Sequence, residues 1–187
     1  MAADGYRSTV VLQTLRRECP MASGFHFILC LASGLWISAN GEYADPADCI
    51  KPCPPGWTHF DTRCFKLQLT GKKWAEAERH CTSLDGNLAS VRSSGEYKFL
   101  RDMVHTETKV HEETWLGGYD AAEEDVWLWS DGSPFDFELW KEGEPNDFWG
   151  GEDCMEMNNN GQNYINDADC DDKKIYICAR DPLHSVL

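Results

Sequence analysis

Apolar side chains recur every three or four residues in two stretches of the chain, which predicts two amphipathic helices. The first covers residues 72–83 and places Cys81 on its buried face, together with Trp74, Ala77 and Leu84. The second begins after Ser93, because a serine followed three residues later by Glu96 is a capping-box signature. It runs to about His105, and its apolar face holds Tyr97, Leu100, Met103 and Val104.

Shorter alternating stretches predict β-strands. Alternation from Trp57 to Leu67 predicts a hairpin that a Cys53–Cys64 bridge closes. Residues 87–91 fit either a connector or a short strand, and further strands are expected at residues 114–119, 126–129 and 174–178. Residues 130–163 are rich in Gly, Pro, Asn and Asp and are predicted to form a long loop, which in a globular domain usually carries function.

An apolar stretch at residues 25–37 indicates that residues 1–40 are a lead and signal peptide. Arg16 and Arg17 precede the stretch, and a small-residue end at Ala39 follows it. The stretch is shorter than the roughly 20 apolar residues of a membrane span. Cleavage near Ala39, secretion and no membrane span are therefore predicted. The alternative is an uncleaved signal anchor, and Met21 is an alternative translation start.

Composition and charge narrow the class of protein. Hydrophobic residues make up 42% of the chain and aromatic residues 12%, which is enough to build a core and excludes a disordered chain. The formal net charge is −15. Since phosphate binding needs a basic surface, nucleic acid is not an expected partner.

Cysteine usage agrees with secretion and suggests a link between chains. Of nine cysteines, Cys19 and Cys30 lie in the predicted lead, so seven remain in the mature chain. Disulfides are the default for them in a secreted protein, and a zinc site is not expected because no close pair has a matching partner. An odd number leaves one cysteine over, which suggests an intermolecular bond.

The segment 144–154 gathers the candidate chemistry of the chain. It reads Glu-Pro-Asn-Asp-Phe-Trp-Gly-Gly-Glu-Asp-Cys, and Asn166-Asp167 follows twelve residues beyond Cys154. Carboxylate and amide oxygens are the ligands that Ca²⁺ prefers. The alternative is an acidic loop without affinity for a cation. Paired carboxylates also occur in glycosidases, but here they lie among asparagines, so the chain is not expected to be an enzyme.

Together these motifs resemble the C-type lectin domain over about residues 53–180. Cys-Pro-Pro-Gly-Trp at 53–57 resembles the opening of the family's long form, and Trp-Leu-Gly-Gly at 115–118 resembles its central signature. The resemblance implies an α+β, C-type lectin-like fold in which two helices flank small antiparallel sheets below a long loop region. It also implies three disulfides: Cys53–Cys64, Cys81–Cys178 and Cys154–Cys170. Cys49 then stays unpaired in a short extension, residues 41–52, and residues 181–187 form a tail.

The same resemblance implies which residues bind Ca²⁺ and sugar. Sugar-binding members use a Glu-Pro-Asn triplet, a Glu just before a cysteine and a strand ending in Asn-Asp. The matching residues here are Glu144, Asn146, Glu152, Asn166 and Asp167. Glu before Asn implies mannose-type sugars, and Pro145 resembles the family's cis proline. Ile165 replaces the family's usual Trp, which is a departure in packing rather than in ligands.

A second cation set and two aromatic side chains complete the candidates. Some relatives hold an accessory Ca²⁺ at positions that match Asp120, Glu124, Asp147, Glu152 and Asp153. The alternative is that the acids at 123–125 form a solvated turn. Phe148 and Trp149 follow the triplet, and each is expected either to stack on a sugar ring or to pack the loop.

The resemblance therefore predicts a secreted, extracellular, Ca²⁺-dependent lectin that binds mannose-type glycans. It is expected to resemble the small soluble single-domain lectins of fish and to act in innate recognition of microbial glycans. Cys49 is expected to link a homodimer or higher oligomer, which would raise avidity. The alternative function is ice binding, as in fish antifreeze proteins with this fold, and a third is a protein-binding module.

Overall fold

The structure is a computed structural model that describes residues 52–182 except Glu138 and Trp149. The predicted signal peptide, the extension with Cys49, Trp149 and most of the tail lie outside the described residues. Within them the chain forms two α-helices, α1 (Trp74–Thr82) and α2 (Ser94–Thr108). The strands are β1 (Thr58–Phe60), β2 (Arg63–Lys72), β3 (Asn87–Leu88), β4 (Thr114–Tyr119), β5 (Leu128–Trp129), β6 (Cys154–Met157), β7 (Ile165–Ala168) and β8 (Lys174–Arg180).

One sheet contains all eight described strands. Its main path runs β1-β2-β8-β4-β6-β7, with β3 paired to β8 and β5 paired to β4. The pairs are antiparallel except β4 and β8, which run parallel where Thr114 faces Ile175 and Trp115 faces Tyr176. The closing strand β8 also pairs with β2, so Cys64 faces Arg180. The fold is therefore the predicted α+β arrangement, with one continuous sheet in place of several small ones.

Two clusters of buried side chains hold the helices to the sheet. Tyr97, Leu100 and Val104 of α2 belong to the larger cluster, which includes Leu116 and Met155 of the sheet. Ala77 and Cys81 of α1 belong to the second cluster, together with Trp115 and Tyr176. These are the apolar faces that the helical spacing predicts, and burying apolar surface is what stabilises such a fold.

Strand β4 packs tightly against its neighbours because it carries two adjacent glycines. A Cβ at Gly117 would lie 2.6 Å from the carbonyl oxygen of Leu88, and a Cβ at Gly118 would lie 2.6 Å from Cε of Met155. A side chain at position 117 would push β3 away from β4, and one at position 118 would displace the Met155 side chain from the core. This close approach explains the Gly-Gly pair that follows Trp115 and Leu116.

Helix α2 begins as predicted at a serine cap. The Ser93 hydroxyl accepts a hydrogen bond from the backbone N–H of Glu96 at 3.1 Å. The reciprocal half of the capping box differs from the prediction, because the Glu96 carboxylate accepts from the backbone N–H of Arg92 at 2.7 Å and pairs with Arg63 at 3.1 Å. The helix continues three residues past His105 and ends at Lys109, which is left-handed with φ of 67°.

Ser93→Ala is expected to destabilise the protein by about 1 kcal/mol, because it removes the acceptor for an otherwise unpaired helix N–H. Chemical denaturation of the purified protein, with its disulfides intact, measures this change. Ser94→Ala is the matched control, since Ser94 is exposed and is the first residue of the helix itself. Equal stabilities for the two variants would contradict the capping role of Ser93.

The predicted long loop contains a strand that the sequence pattern missed. Residues 130–163 were expected to be irregular, but β6 (Cys154–Met157) lies between β4 and β7 in the sheet. All four residues of β6 are buried, so the strand shows no alternation of apolar and polar side chains. Strand β5 is in turn shorter than predicted, covering Leu128 and Trp129 only.

The three expected disulfides are present. Cys53–Cys64 closes the N-terminal hairpin, Cys81–Cys178 ties α1 to β8, and Cys154–Cys170 ties β6 to the turn after β7. The last two span 97 and 16 residues of sequence, and loops of such lengths are expected to gain about 3 to 5 kcal/mol of stability. Among the helices described, none is long and apolar enough to cross a membrane.

Candidate calcium and carbohydrate site

Strands β6 and β7 place the two halves of the predicted site side by side. Glu152 lies two residues before β6, while Asn166 and Asp167 lie within β7. The register pairs Met155 with Asp167 and Glu156 with Asn166. The Cys154–Cys170 disulfide fixes the same two segments, so the backbone that carries these ligands is held before any cation binds.

The long loop returns to β7 and brings the Glu-Pro-Asn triplet with it. Ile165 donates its backbone N–H to Leu139 at 2.9 Å and accepts from Lys141 at 3.3 Å. The Glu144–Pro145 bond is cis, as the family resemblance implied. Beyond it, the backbone N–H groups of Asn146 and Asp147 both donate to Oδ2 of Asp167, at 2.9 and 2.7 Å. The triplet therefore lies directly against Asp167.

Asp167 has one carboxylate oxygen without a protein partner. The residue is only 1% exposed, and its Oδ1 has no hydrogen bond among the described residues. A buried carboxylate oxygen left unpaired is costly, and a cation is the kind of group that would satisfy it. The donor set around it, three carboxylates and two amides, is the oxygen chemistry that suits Ca²⁺.

Burial and nearby negative charge raise the pKa of two carboxylates at this site. Partial burial raises the pKa of Glu144, and the negative charge of Asp167 raises it further. Burial likewise raises the pKa of Glu152; the hydrogen bond from the N–H of Phe148 lowers it, and the negative charges of Asp167 and Glu144 raise it. Such mutual repulsion is what a bound divalent cation would relieve.

The loop itself uses several of the candidate ligand atoms. Glu152 Oε2 accepts from the N–H of Phe148 at 3.0 Å, and Glu144 Oε2 accepts from the amide of Asn146. With the carboxylates held in this way, the described residues contain no cluster of three or more His, Cys, Asp or Glu arranged to hold a metal. The fit to Ca²⁺ thus depends on the unpaired Asp167 Oδ1 and on the mixed carboxylate and amide set.

The second predicted cation set surrounds the end of β4. Asp120 is 2% exposed, its Oδ2 accepts from the N–H of Asp125 at 3.1 Å, and its Oδ1 has no hydrogen bond within the described part of the chain. Burial and the charges of Asp153 and Asp167 raise the pKa of Asp120. The pKa of Glu124 is raised as well, by desolvation and by Asp147. These acids therefore lie near one another, although Glu124 itself is exposed.

The aromatic candidates fall into two groups. Phe148 is 62% exposed beside the triplet, while Trp149 is not among the described residues. Three tryptophans pack in or against the core: Trp127 packs edge-on against Trp140, with ring centres 4.8 Å apart, and Trp129 packs on Phe135 at 5.1 Å. These contacts anchor the first part of the long loop.

Sequence reasoning missed Glu156, which contacts the predicted site from behind. It is fully buried in β6, and its Oε1 accepts from the amide of Asn166 at 3.2 Å. Its Oε2 lies 2.9 Å from Nζ of Lys174 in β8. The one sequence signal for a role of Glu156 is its charge within the apolar run Cys-Met-Glu-Met. That run lies within residues 130–163, which are predicted to form a loop.

Comparison with known proteins defines the class of this chain. Residues 70–180 match the family described as Lectin C-type domain, so the chain belongs to the C-type lectin family of carbohydrate-binding proteins. It is 48% identical to ladderlectin of Oncorhynchus mykiss over 138 residues, 73% of either protein. It is 39% identical over 162 residues to the galactose-specific lectin nattectin of Thalassophryne nattereri, covering 86% of this chain and 99% of nattectin.

Solved structures confirm the fold and include proteins that are not named as lectins. A calcium-independent type II antifreeze protein matches with a TM-score of 0.64 and 32% identity, over 71% of this chain and 97% of that one. Ladderlectin and nattectin are lectins, which are not enzymes. The expectation of a likeness to fish lectins is thereby confirmed.

Proposed function

We propose that this chain is a secreted, Ca²⁺-dependent lectin that binds mannose-type glycans at the Glu144–Asp167 site and recognises microbial surfaces. The observation that carries the proposal is the buried, unpaired Oδ1 of Asp167, with the Glu-Pro-Asn triplet hydrogen-bonded to the same carboxylate. Three disulfides and the likeness to fish lectins support an extracellular location.

Different residues of the chain have different roles in this proposed site. Ca²⁺, when bound, would supply coordination positions that two neighbouring sugar hydroxyls can fill. Glu144, Glu152 and Asp167 provide negative charge, and Asn146 and Asn166 provide amide oxygens. The Glu144 and Glu152 carboxylates can also accept a hydrogen bond from a sugar hydroxyl, and the Asn146 amide can donate one to a hydroxyl oxygen. Phe148 is exposed and its backbone N–H donates to Glu152, and its ring is proposed to stack on a bound sugar.

The sugar preference rests on the order of side chains in the triplet. Glu144 precedes Asn146, the order that the family resemblance associates with mannose-type sugars. One relative, nattectin, is named as galactose-specific, so similarity over most of the chain does not decide the sugar. In this proposal the direction of the hydrogen bonds determines the sugar, because a carboxylate only accepts hydrogen bonds while an amide also donates them.

Affinity chromatography tests the proposal. The protein is applied to mannose and galactose resins in Ca²⁺ and then washed with a chelator. Retention on mannose with release by the chelator is expected. Retention on neither resin, or retention that the chelator does not reverse, would defeat the proposal.

Exchanging the triplet side chains is expected to move the preference toward galactose. Glu144→Gln with Asn146→Asp keeps the size of each side chain but exchanges the positions of the charge and the amide, so the pattern of donors and acceptors is reversed. Elution with free mannose or free galactose measures the ratio of affinities. Glu107→Gln, on the exposed face of α2, is the control and is expected to leave the ratio unchanged. Unaltered mannose binding by the double variant would place the sugar site elsewhere.

A disulfide-linked homodimer through Cys49 belongs to the same proposal. The three disulfides of the described domain leave Cys49 as the remaining cysteine of the predicted mature chain. A non-reducing gel of the secreted protein is expected to show a dimer that Cys49→Ser converts to monomer. A monomer before the substitution would remove this part of the proposal.

Ice binding is the second candidate, because type II antifreeze proteins share the fold at 32% identity. The order of Glu144 before Asn146 favours sugar; a set of cation ligands alone does not, because a Ca²⁺-dependent type II antifreeze protein also shares the fold, at 30% identity. A measurement of thermal hysteresis separates the two functions.

A further inference from the structure

The amide of Asn166 can offer either its oxygen or its nitrogen to a cation, and only the oxygen can coordinate it. In β7 the Asn166 Nδ2 donates to Oε1 of Glu156 at 3.2 Å and to the backbone oxygen of Asp167. Both amide protons are thereby used in hydrogen bonds within the protein. The oxygen Oδ1 is the atom that this arrangement leaves for a ligand.

The Glu156 carboxylate contacts three side chains, those of Asn166, Asn159 and Lys174, which together fix its orientation. Glu156 is the cross-strand partner of Asn166, and it is 0% exposed. Its Oε1 also accepts from the amide of Asn159 at 2.7 Å, and its Oε2 lies 2.9 Å from Lys174 Nζ. Lys174 is itself fixed, 3.1 Å from Glu113 and 5.1 Å from the centre of the Trp115 ring.

A carboxylate accepts hydrogen bonds but donates none, so a flipped Asn166 amide would place its oxygen against another acceptor. In a buried setting that mismatch is severe. Packing alone does not require a charge here, because buried ion pairs can often be replaced by apolar residues without loss of stability. A role toward the neighbouring site explains the charge better than packing does.

We propose that Glu156 is a positioning residue, which fixes the amide of Asn166 with its oxygen toward the cation, and that Lys174 holds Glu156 in place. This role rests on the proposed function, since it presumes that Asn166 coordinates Ca²⁺. Residues behind metal ligands commonly orient them in this way.

The first test needs no metal. In the Ca²⁺-free protein, nuclear magnetic resonance of the Asn166 side-chain amide is expected to show protons protected from exchange with water. Glu156→Met should remove that protection, while Glu156→Gln, which keeps an acceptor oxygen, should retain part of it. Protection unchanged in Glu156→Met would overturn the proposal.

The second test measures Ca²⁺ affinity by calorimetry. Glu156→Met is expected to lower the affinity by about 10- to 100-fold, as for other residues behind metal ligands. In an Asn166→Ala background the same substitution should have little further effect, because the amide it orients is gone. Glu76→Gln, an exposed carboxylate of α1 outside this network, is the matched control and should leave the affinity unchanged.

The outcomes separate this proposal from the one on which it rests. A wild-type protein that binds no Ca²⁺ overturns the proposed function and this role together. A wild-type protein that binds Ca²⁺, with additive losses from Glu156→Met and Asn166→Ala, overturns only the role of Glu156. Glu156→Gln provides the same comparison if Glu156→Met does not fold.

Discussion

Replacing Asp167 with asparagine is expected to abolish retention on mannose resin and to lower Ca²⁺ affinity by at least about 100-fold. Removing residues behind a metal ligand already costs about 10- to 100-fold, and Asp167→Asn removes a ligand charge itself. The buried Oδ2 accepts from the N–H groups of Asn146 and Asp147, so an asparagine would keep its oxygen on that side. Its NH₂ would then stand at the position of the unpaired Oδ1, where it cannot coordinate a cation.

Asp167→Asn should nevertheless fold, because both loop hydrogen bonds survive. Removing the charge should even reduce the repulsion that raises the pKa of Glu144 and Glu152 in the metal-free protein. Calorimetric titration with Ca²⁺ gives the affinity, and thermal unfolding in chelator verifies the fold. Asp136→Asn, at an exposed position of the same long loop, is the matched control. Wild-type Ca²⁺ affinity in Asp167→Asn would remove Asp167 from the site and, with it, the main support for a Ca²⁺-dependent lectin.

The helices were predictable because their sequence carries local signals. The spacing of Ala77 and Cys81 and the serine cap at Ser93 depend only on residues within three or four positions of one another. Strand β6 carries no such signal, since Cys154–Met157 is buried on both faces and is flanked by glycines and asparagines. Its identity as a strand depends on pairing with β4 and β7, which are distant in sequence or reached through a turn.

Only part of the candidate site was predictable from the sequence. The Glu-Pro-Asn triplet and the Asn166-Asp167 pair were found by resemblance to a family motif, and the structure brings them into contact. The partners behind them were not found, because Glu156 meets Lys174 and Asn166 only after three strands assemble. Likewise, a charged side chain such as Arg63 is expected on the surface from sequence alone, yet it is 4% exposed.

Arg63→Met is expected to destabilise the protein by about 3 to 5 kcal/mol, the range for removing one partner of a buried ion pair. The Arg63 guanidinium lies 3.1 Å from Glu96 in α2 and 3.6 Å from Asp131 at the start of the long loop. It also donates to the backbone oxygen and the hydroxyl of Ser90, at 3.1 and 3.0 Å. Methionine fills similar space but leaves Oε1 of Glu96 and the backbone oxygen of Ser90 without the donor that Arg63 supplies.

A second variant separates the loss of charge pairing from the loss of packing. Arg63→Met with Glu96→Leu removes both members of the closest pair, so part of the lost stability should return. Recovery of stability should be incomplete, because Asp131 still loses its ion pair with Arg63. Burial raises the pKa of Asp131, but hydrogen bonds from Ser133 and Ser90, together with the charge of Arg63, hold that pKa below its usual value. Urea denaturation measures all three proteins, and the exposed Arg79→Met in α1 is expected to change stability by less than about 0.5 kcal/mol. If Arg63→Met matched Arg79→Met, the buried pairs would contribute little, and the start of the long loop would depend on its aromatic contacts instead.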